Sequence, residues 1–298
     1  MLISNENLAG LRMSFNAAFN KAYLETPSNK DKVATTIPSS TKMNTYGWIG
    51  NFPSMREWIG EREIKNLEEK AYNIVNKHFE ATVAINRDDV EDDNLGLYTV
   101  KMQMMGSEAK VHQDILVMSR MKNGFTEACY DDLPFFSEAH PVGNTVWGNK
   151  GTAKLSPESY AAARASMMSL KKDNGDAANI KPNLLVVPPA LETMGRRILE
   201  AELIDGTTNP WKGTAELLVD SNLAGAPYEN NWFLLDNSRP LKPLIFQERK
   251  KIKFISKVNE NDDSVFWKNE FVYGADGRYN AGYGFWQFAY GSTGEQAG

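Results

Sequence analysis

The sequence predicts an α+β protein, on three observations: long stretches of helical periodicity near the amino terminus and after residue 94, a middle region in which short helices and strands alternate, and an aromatic, β-rich carboxyl-terminal part. Between the two long helical stretches lies the segment 46–96, which mixes many charges with Trp48, Phe52, Trp58, Tyr72 and Phe79. A segment of that make-up cannot bury its own rings. It predicts a surface borrowed from a neighbour.

The chain of 298 residues suffices for one large domain or about two ordinary ones. Hydrophobic residues at 42% and charged residues at 24% are globular composition and exclude a mostly disordered chain, although the mean hydropathy of −0.46 is fairly polar. With 33 Lys plus Arg against 38 Asp plus Glu the net charge is −5, so contact with a phosphate backbone is expected to be local and weak. Cys129 is the only cysteine, which excludes an intrachain disulfide and a cysteine metal cage and points to a cytosolic folding compartment. The amino terminus lacks a basic start and a continuous apolar core, and no run approaches the ~18 apolar residues of a membrane span. Neither secretion by that route nor a membrane partner is expected.

In chain order, Leu8, Leu11, Phe15, Phe19, Ala22 and Tyr23 recur at helical spacing, with Ser4 or Asn5 as cap and Pro27 as stop, predicting a helix over about 5–24. The polar stretch 26–45 then reads as an extended or mobile arm, for which a neighbouring subunit is the simplest anchor. Residues 61–87 stay ambiguous: Tyr72, Ile74, Phe79, Ala81, Val83 and Ile85 alternate as in a strand, while Glu68 to Ala71 favour helix, giving a hairpin-like excursion that must pack on something outside itself. From 94 to 122, Leu97, Val100, Met104, Val111, Ile115 and Met118 fall on one face of a helix spanning about 40 Å. Gly106 in its middle allows a bend.

Between 129 and 236, Ser156-Pro157-Glu158 starts a helix, residues 183–187 form a buried strand, Pro188-Pro189 open another helix, and 215–219 and 232–235 are further strands. The segments 244–258, 265–273 and 278–290 read as aromatic strands separated by turns at 259–263 and 274–277.

None of the chemical motifs survives inspection. The acidic run Asp88, Asp89, Glu91, Asp92, Asp93 fails the calcium-loop pattern, because Asn94 stands where glycine is needed and Val100 where a glutamate is needed; a solvated turn offset by Arg87 is the better reading. His78, His112 and His140 form no helical zinc pair, and Cys129 with His140 as nucleophile and base is weighed against a small buried hydrophobe, which is favoured. Gly282-Tyr283-Gly284 reads as tight strand positions rather than part of a dinucleotide loop. Arg249, Lys250, Lys251, Lys253 and Lys257 form a basic strand without interleaved stacking aromatics, hence a solvated or subunit-facing one. The prediction is no enzyme, no cofactor and no metal. Trp48, Phe52, Arg56, Glu57, Trp58, Tyr72 and Phe79 are the candidate contact residues, as aromatic and Arg side chains dominate interface cores; a sugar-binding platform is the competing use.

The strings YGWIGNFPSMREWIGER (46–62) and NKHFEATVAINRDDVEDDNLG (76–96), then ACYDDLPFFSEAHP (128–141), PNLLVVPPALE (182–192) and NNWFLLD (230–236), resemble in order and spacing the major head subunit gpT of Mu-like phages and prophages. That resemblance implies the Hong Kong 97-like capsid fold, with 1–45 as N-arm, 46–93 as extended E-loop, 94–128 and 237–298 as the peripheral domain with its spine helix, and 129–236 as the axial domain. It implies a major capsid protein assembling as pentamers and hexamers into an icosahedral shell around double-stranded DNA, located in the virion and assembled in the host bacterial cytoplasm. Its implied partners are itself, a scaffold and maturation protease, a portal ring, a possible decoration protein, and DNA enclosed without sequence-specific binding. Some members of the wider fold carry a covalent lysine–asparagine crosslink; Lys65, Lys70 and Lys77 lie in the loop, but no pair is assigned. The alternatives are another virion component of tail or baseplate, or a soluble carbohydrate-binding or hydrolase domain.

Overall fold

The computed structural model describes residues 4–47, 72–92, 95–172, 174–259 and 261–296. Helix α1 (Asn5–Glu25) starts where the Ser4 hydroxyl accepts the Asn7 N–H at 3.2 Å, and buries Leu8, Leu11, Phe15 and Phe19 along one face. The chain then runs through β1 (Ala34–Pro38), β2 (Met43–Tyr46), β3 (Tyr72–Val75) and β4 (Lys77–Asn86) into α2 (Leu95–Asn123). Short elements follow: β5 (Lys150–Ala153), α3 (Pro157–Met168), β6 (Leu184–Val187), α4 (Glu192–Leu199), β7 (Glu216–Val219) and β8 (Trp232–Leu235). The carboxyl-terminal part comprises β9 (Leu244–Lys257), α5 (Asp263–Lys268), β10 (Glu270–Tyr283) and β11 (Ala289–Gln296). Helices and strands are thus mixed as an α+β fold.

Two sheets organise these elements. One has the order β1-β9-β10-β4, with β1 parallel to β9 and the other pairs antiparallel. The other has the order β7-β6-β8-β11-β5, and its β6 and β8 are buried on both faces, as their uninterrupted apolar sequences LLVV and WFLL require. The last strand, 289–296, pairs with β8 and β5, so this sheet draws a strand from the segment that the resemblance allots to the peripheral domain.

Helix α2 joins two apolar cores. Met102 and Met105 pack with Leu8, Phe15, Phe19, Phe271 and Tyr273, whereas Val117, Met118 and Met121 pack with Phe135, Phe136, Tyr283 and the five-stranded sheet. At 29 residues the helix is about 44 Å long, enough to reach both. Gly106 serves packing rather than bending: the helix is continuous, and a Cβ there would overlap the Phe19 carbonyl oxygen. The face expected to point inward is largely the wrong one. Leu97, Val100, Met104 and Ile115 are 44–66% exposed, while Met118 alone of that set is fully buried. The helix is apolar on more than one side, and the Gly106–Phe19 approach decides which side α1 covers.

Three further expectations change. The arm 26–45 is held by its own chain: β1 adds to β9, β2 pairs with β3, and Asp114 of α2 grips residues 28–30. The returning limb of the excursion is strand, with β4 forming an outer strand of the first sheet. Residues 265–273 do not form one strand. Val265 is buried in α5, Asn269 ends that helix with φ 54°, and β10 then runs straight through 274–277. The glycines expected to turn there are instead strand positions crowded by neighbours, since a Cβ on Gly274 would lie 3.0 Å from the Ala81 carbonyl oxygen and one on Gly277 would lie 2.8 Å from Ile252.

Candidate functional site

Of the predicted contact residues, Trp48, Phe52, Arg56, Glu57 and Trp58 lie outside the described residues, as do Lys65 and Lys70. Tyr72 and Phe79 are described, and both are engaged within their own chain. The Tyr72 hydroxyl accepts the Tyr283 N–H at 3.1 Å, and burial pushes its pKa up to about 12. The Phe79 ring lies 4.5 Å from His112 and 4.8 Å from Tyr279, whose hydroxyl is 2.9 Å from His112 Nδ1. Burial also lowers the pKa of His112.

The two ends of the undescribed segment emerge from a fixed root. Met43–Tyr46 pairs with Tyr72–Val75. Gln247, wholly buried, ties both strands to β9: its Oε1 accepts from the Tyr46 hydroxyl at 2.8 Å and its Nε2 donates to the Ile74 carbonyl at 3.0 Å. A second tie runs through Asn76, whose amide donates to the Ser39 hydroxyl at 2.8 Å and the Thr41 carbonyl at 2.9 Å. The β2–β3 pair is thereby tied directly to the four-stranded sheet.

The sequence weighed Cys129 and His140 as nucleophile and base, and the fold does bring them together, through Asp131. The Cys129 thiol donates to Asp131 Oδ1 at 3.1 Å, and His140 Nδ1 lies 2.6 Å from Asp131 Oδ2. The ligand atoms of all three lie within 4.8 Å of one another, so spacing alone would admit a metal ion. The hydrogen bonding argues otherwise, because each group already has a protein partner. His140 is wholly buried, stacks on Trp286 at 4.1 Å, and directs Nε2 toward the Phe135 carbonyl at 3.3 Å and Asn149 Oδ1 at 3.2 Å. Burial and the adjacent Asp131 carboxylate push the thiol far above its ordinary pKa, which leaves no thiolate to act as a nucleophile at neutral pH. Burial raises the Asp131 pKa, but hydrogen bonds from His140 and Cys129 outweigh it and hold the carboxyl below its usual range. Asn149 extends the cluster, donating to the Phe135, Trp286 and Ala289 carbonyls at 2.9–3.2 Å. The arrangement pins segment 129–149, which includes the short hairpin His140–Val142 with Thr145–Trp147, to the turn before β11.

The charged runs are solvated. Residues Arg87–Glu91 form a helical turn in which Arg87 Nε reaches Glu91 at 3.2 Å. On β9, Lys251, Lys253 and Lys257 share an exposed face and Lys250 pairs with Asp276. Among the described residues no helix is long and apolar enough to cross a membrane.

Among the described residues, the exposed apolar features that the sequence did not indicate include the outward row on α2, and Phe266 with Trp267 on α5, 70% and 76% exposed. Sequence assigned the first to the core and the second to a strand. A chain with buried polar groups that serve packing, and with large apolar side chains left on its surface, is suited to being covered by other subunits.

The same architecture occurs in the procapsid of bacteriophage JBD30, whose chain is 38% identical with a TM-score of 0.63, covering 97% of this chain and 76% of that one. The fold therefore defines a structural subunit of a phage head, a capsid protein. The major capsid protein of Escherichia phage Mu is 35% identical over 295 residues, 99% of this chain and 76% of that protein. The Mu-like prophage FluMu major head subunit of Haemophilus influenzae (strain ATCC 51907 / DSM 11121 / KW20 / Rd) is 32% identical over 293 residues, 98% of this chain and 75% of that protein. The chain belongs to the Mu-like prophage major head subunit gpT family, whose model matches residues 8–153, 144–223 and 219–297, and it functions as a major capsid protein.

Proposed function

We propose that copies of this chain form pentamers and hexamers that close an icosahedral shell around double-stranded DNA in the bacterial cytoplasm, with segment 48–71 acting as an E-loop laid over an adjacent subunit. The observation that carries this reading is the root of that segment, where Gln247 fastens both strands of the β2–β3 pair to the sheet, combined with the rings and charges of the sequence that leaves it. Trp48, Phe52, Arg56, Glu57 and Trp58 supply the intersubunit contacts, and many such weak contacts add up across a closed shell. The net charge of −5 suits a wall that encloses DNA without binding its sequence. In this reading a scaffold, a maturation protease and a portal ring take part in assembly, a decoration protein can join the finished shell, and residues 1–45 are the N-arm.

The test is assembly of the Trp58→Ala and Arg56→Ala variants. Both should show the circular dichroism of the parent chain and fail to give closed shells in negative-stain micrographs. Normal particles from both would remove these side chains from the interface.

A further inference from the structure

We propose that Phe266 and Trp267 of one copy form an anchor that docks into an apolar groove between α2 and the β4 edge of a second copy, a contact separate from that of segment 48–71. The two rings meet edge to face at 4.9 Å and stand in solvent. Their helix is nevertheless firmly seated: Val265 is buried, and Asn269, which closes the helix, accepts the Arg87 N–H at 2.9 Å through its carbonyl and donates to Asp88 Oδ1 at 3.2 Å. An anchor held this way loses little freedom on docking. Each ring offers about 150–250 Å² for burial.

The groove is a recess of about 260 Å³ on the side of the four-stranded sheet that faces α2. It exists because Ala81, Ala275 and Gly277 floor it with almost no side chain, and Ala109 faces them from the helix. Phe79 and Ile115 form apolar walls, and the exposed carboxylates of Glu80 and Glu108 stand on the rim. The occupant must therefore bring an apolar body with hydrogen-bond donors or positive charge at its margin. Trp267 carries an indole N–H, and the exposed Lys268 follows it directly.

A copy cannot fill its own groove. Glu270, next to the anchor, pairs with Asn86, whereas the groove lies beside the Asp276–Glu80 pair, six residues and about 20 Å along the same strands. The contact is thus between copies and joins two different surfaces, the head-to-tail geometry that closes rings or extends a lattice. A chain that functions as a capsid protein meets its own copies at high local concentration, which favours this occupant over a foreign one.

Two experiments on the full-length chain test the contact. Phe266→Ala with Trp267→Ala should keep the parent circular dichroism and thermal transition, and should lower the number of shells per mass of protein by about tenfold or more. Separately, particles carrying both Lys268→Cys and Glu108→Cys should give a ladder of disulfide-linked subunits on air oxidation, absent from either single variant. Parent-level shells from the double alanine variant would overturn the proposal, as would 268–268 linkage in the single variant. Because the variants leave 48–71 intact, loss of shells here is distinguishable from failure of the Trp58 contact.

Discussion

The Asp114 carboxylate on helix α2 accepts the Ser28 hydroxyl at 2.6 Å, across 86 residues of sequence. The same carboxylate accepts the backbone N–H groups of Asn29 at 3.0 Å and Lys30 at 2.9 Å. This one buried group turns the chain from α1 into β1 and explains why a polar arm needs no second subunit to hold it.

Asp114→Ala should therefore loosen the arm. It leaves two backbone donors and a hydroxyl unsatisfied, at a cost of about 3 kcal/mol if each loses only part of its pairing. Urea unfolding measures the loss, and limited proteolysis should show new cleavage within 26–33. An unchanged midpoint would mean that β1 pairing alone fixes the segment.

Gly106→Ala should push α1 off α2, because the new methyl overlaps the Phe19 carbonyl, a backbone atom that cannot swing aside. Overpacking of this kind costs about 1–3 kcal/mol. The same change at Gly96, where a Cβ meets nothing within 4 Å, serves as the control and should not destabilise.

The outward row on α2 separates folding from assembly. Val100→Gln with Met104→Gln should alter chain stability by less than about 0.5 kcal/mol, since both side chains are more than half exposed. Met102→Ala, between them on the opposite side of the helix and wholly buried, should cost about 2–5 kcal/mol. Equal losses from the two sets, compared by thermal unfolding, would restore the inward reading of that face.

Asp131 gives the fold an acid-sensitive pin. Its pKa is lower in the folded chain than in an unfolded one, so its contribution is fully present above the ordinary carboxylate range and is lost as pH falls through the folded value. Asp131→Asn should cost about 1–3 kcal/mol at neutral pH, because it removes the carboxylate that accepts the hydrogen bonds of buried His140 and Cys129, and the variant should lose less stability than the parent on acidification. Parallel pH–stability curves for the two chains would show that this carboxyl does not titrate with unfolding.

Periodicity determined where α1, α2 and the buried strands lie, because an amphipathic or uniformly apolar repeat is a local property of the chain. Ser4 as cap, Leu8 to Phe19 as a buried stripe and 184–187 as a core strand were legible for that reason. The family resemblance, carried by specific strings, supplied the function. Only the tertiary structure decided which side of α2 is covered, because Leu97, Val100 and Met104 are as apolar as Met102 and Met105, and the choice rests on how closely α1 approaches Gly106. It likewise turned 274–277 from a turn into mid-strand and drew Cys129, Asp131 and His140 together. Those outcomes depend on partners far away in sequence, such as Ala81 beside Gly274 and Trp286 beneath His140, which no local pattern encodes.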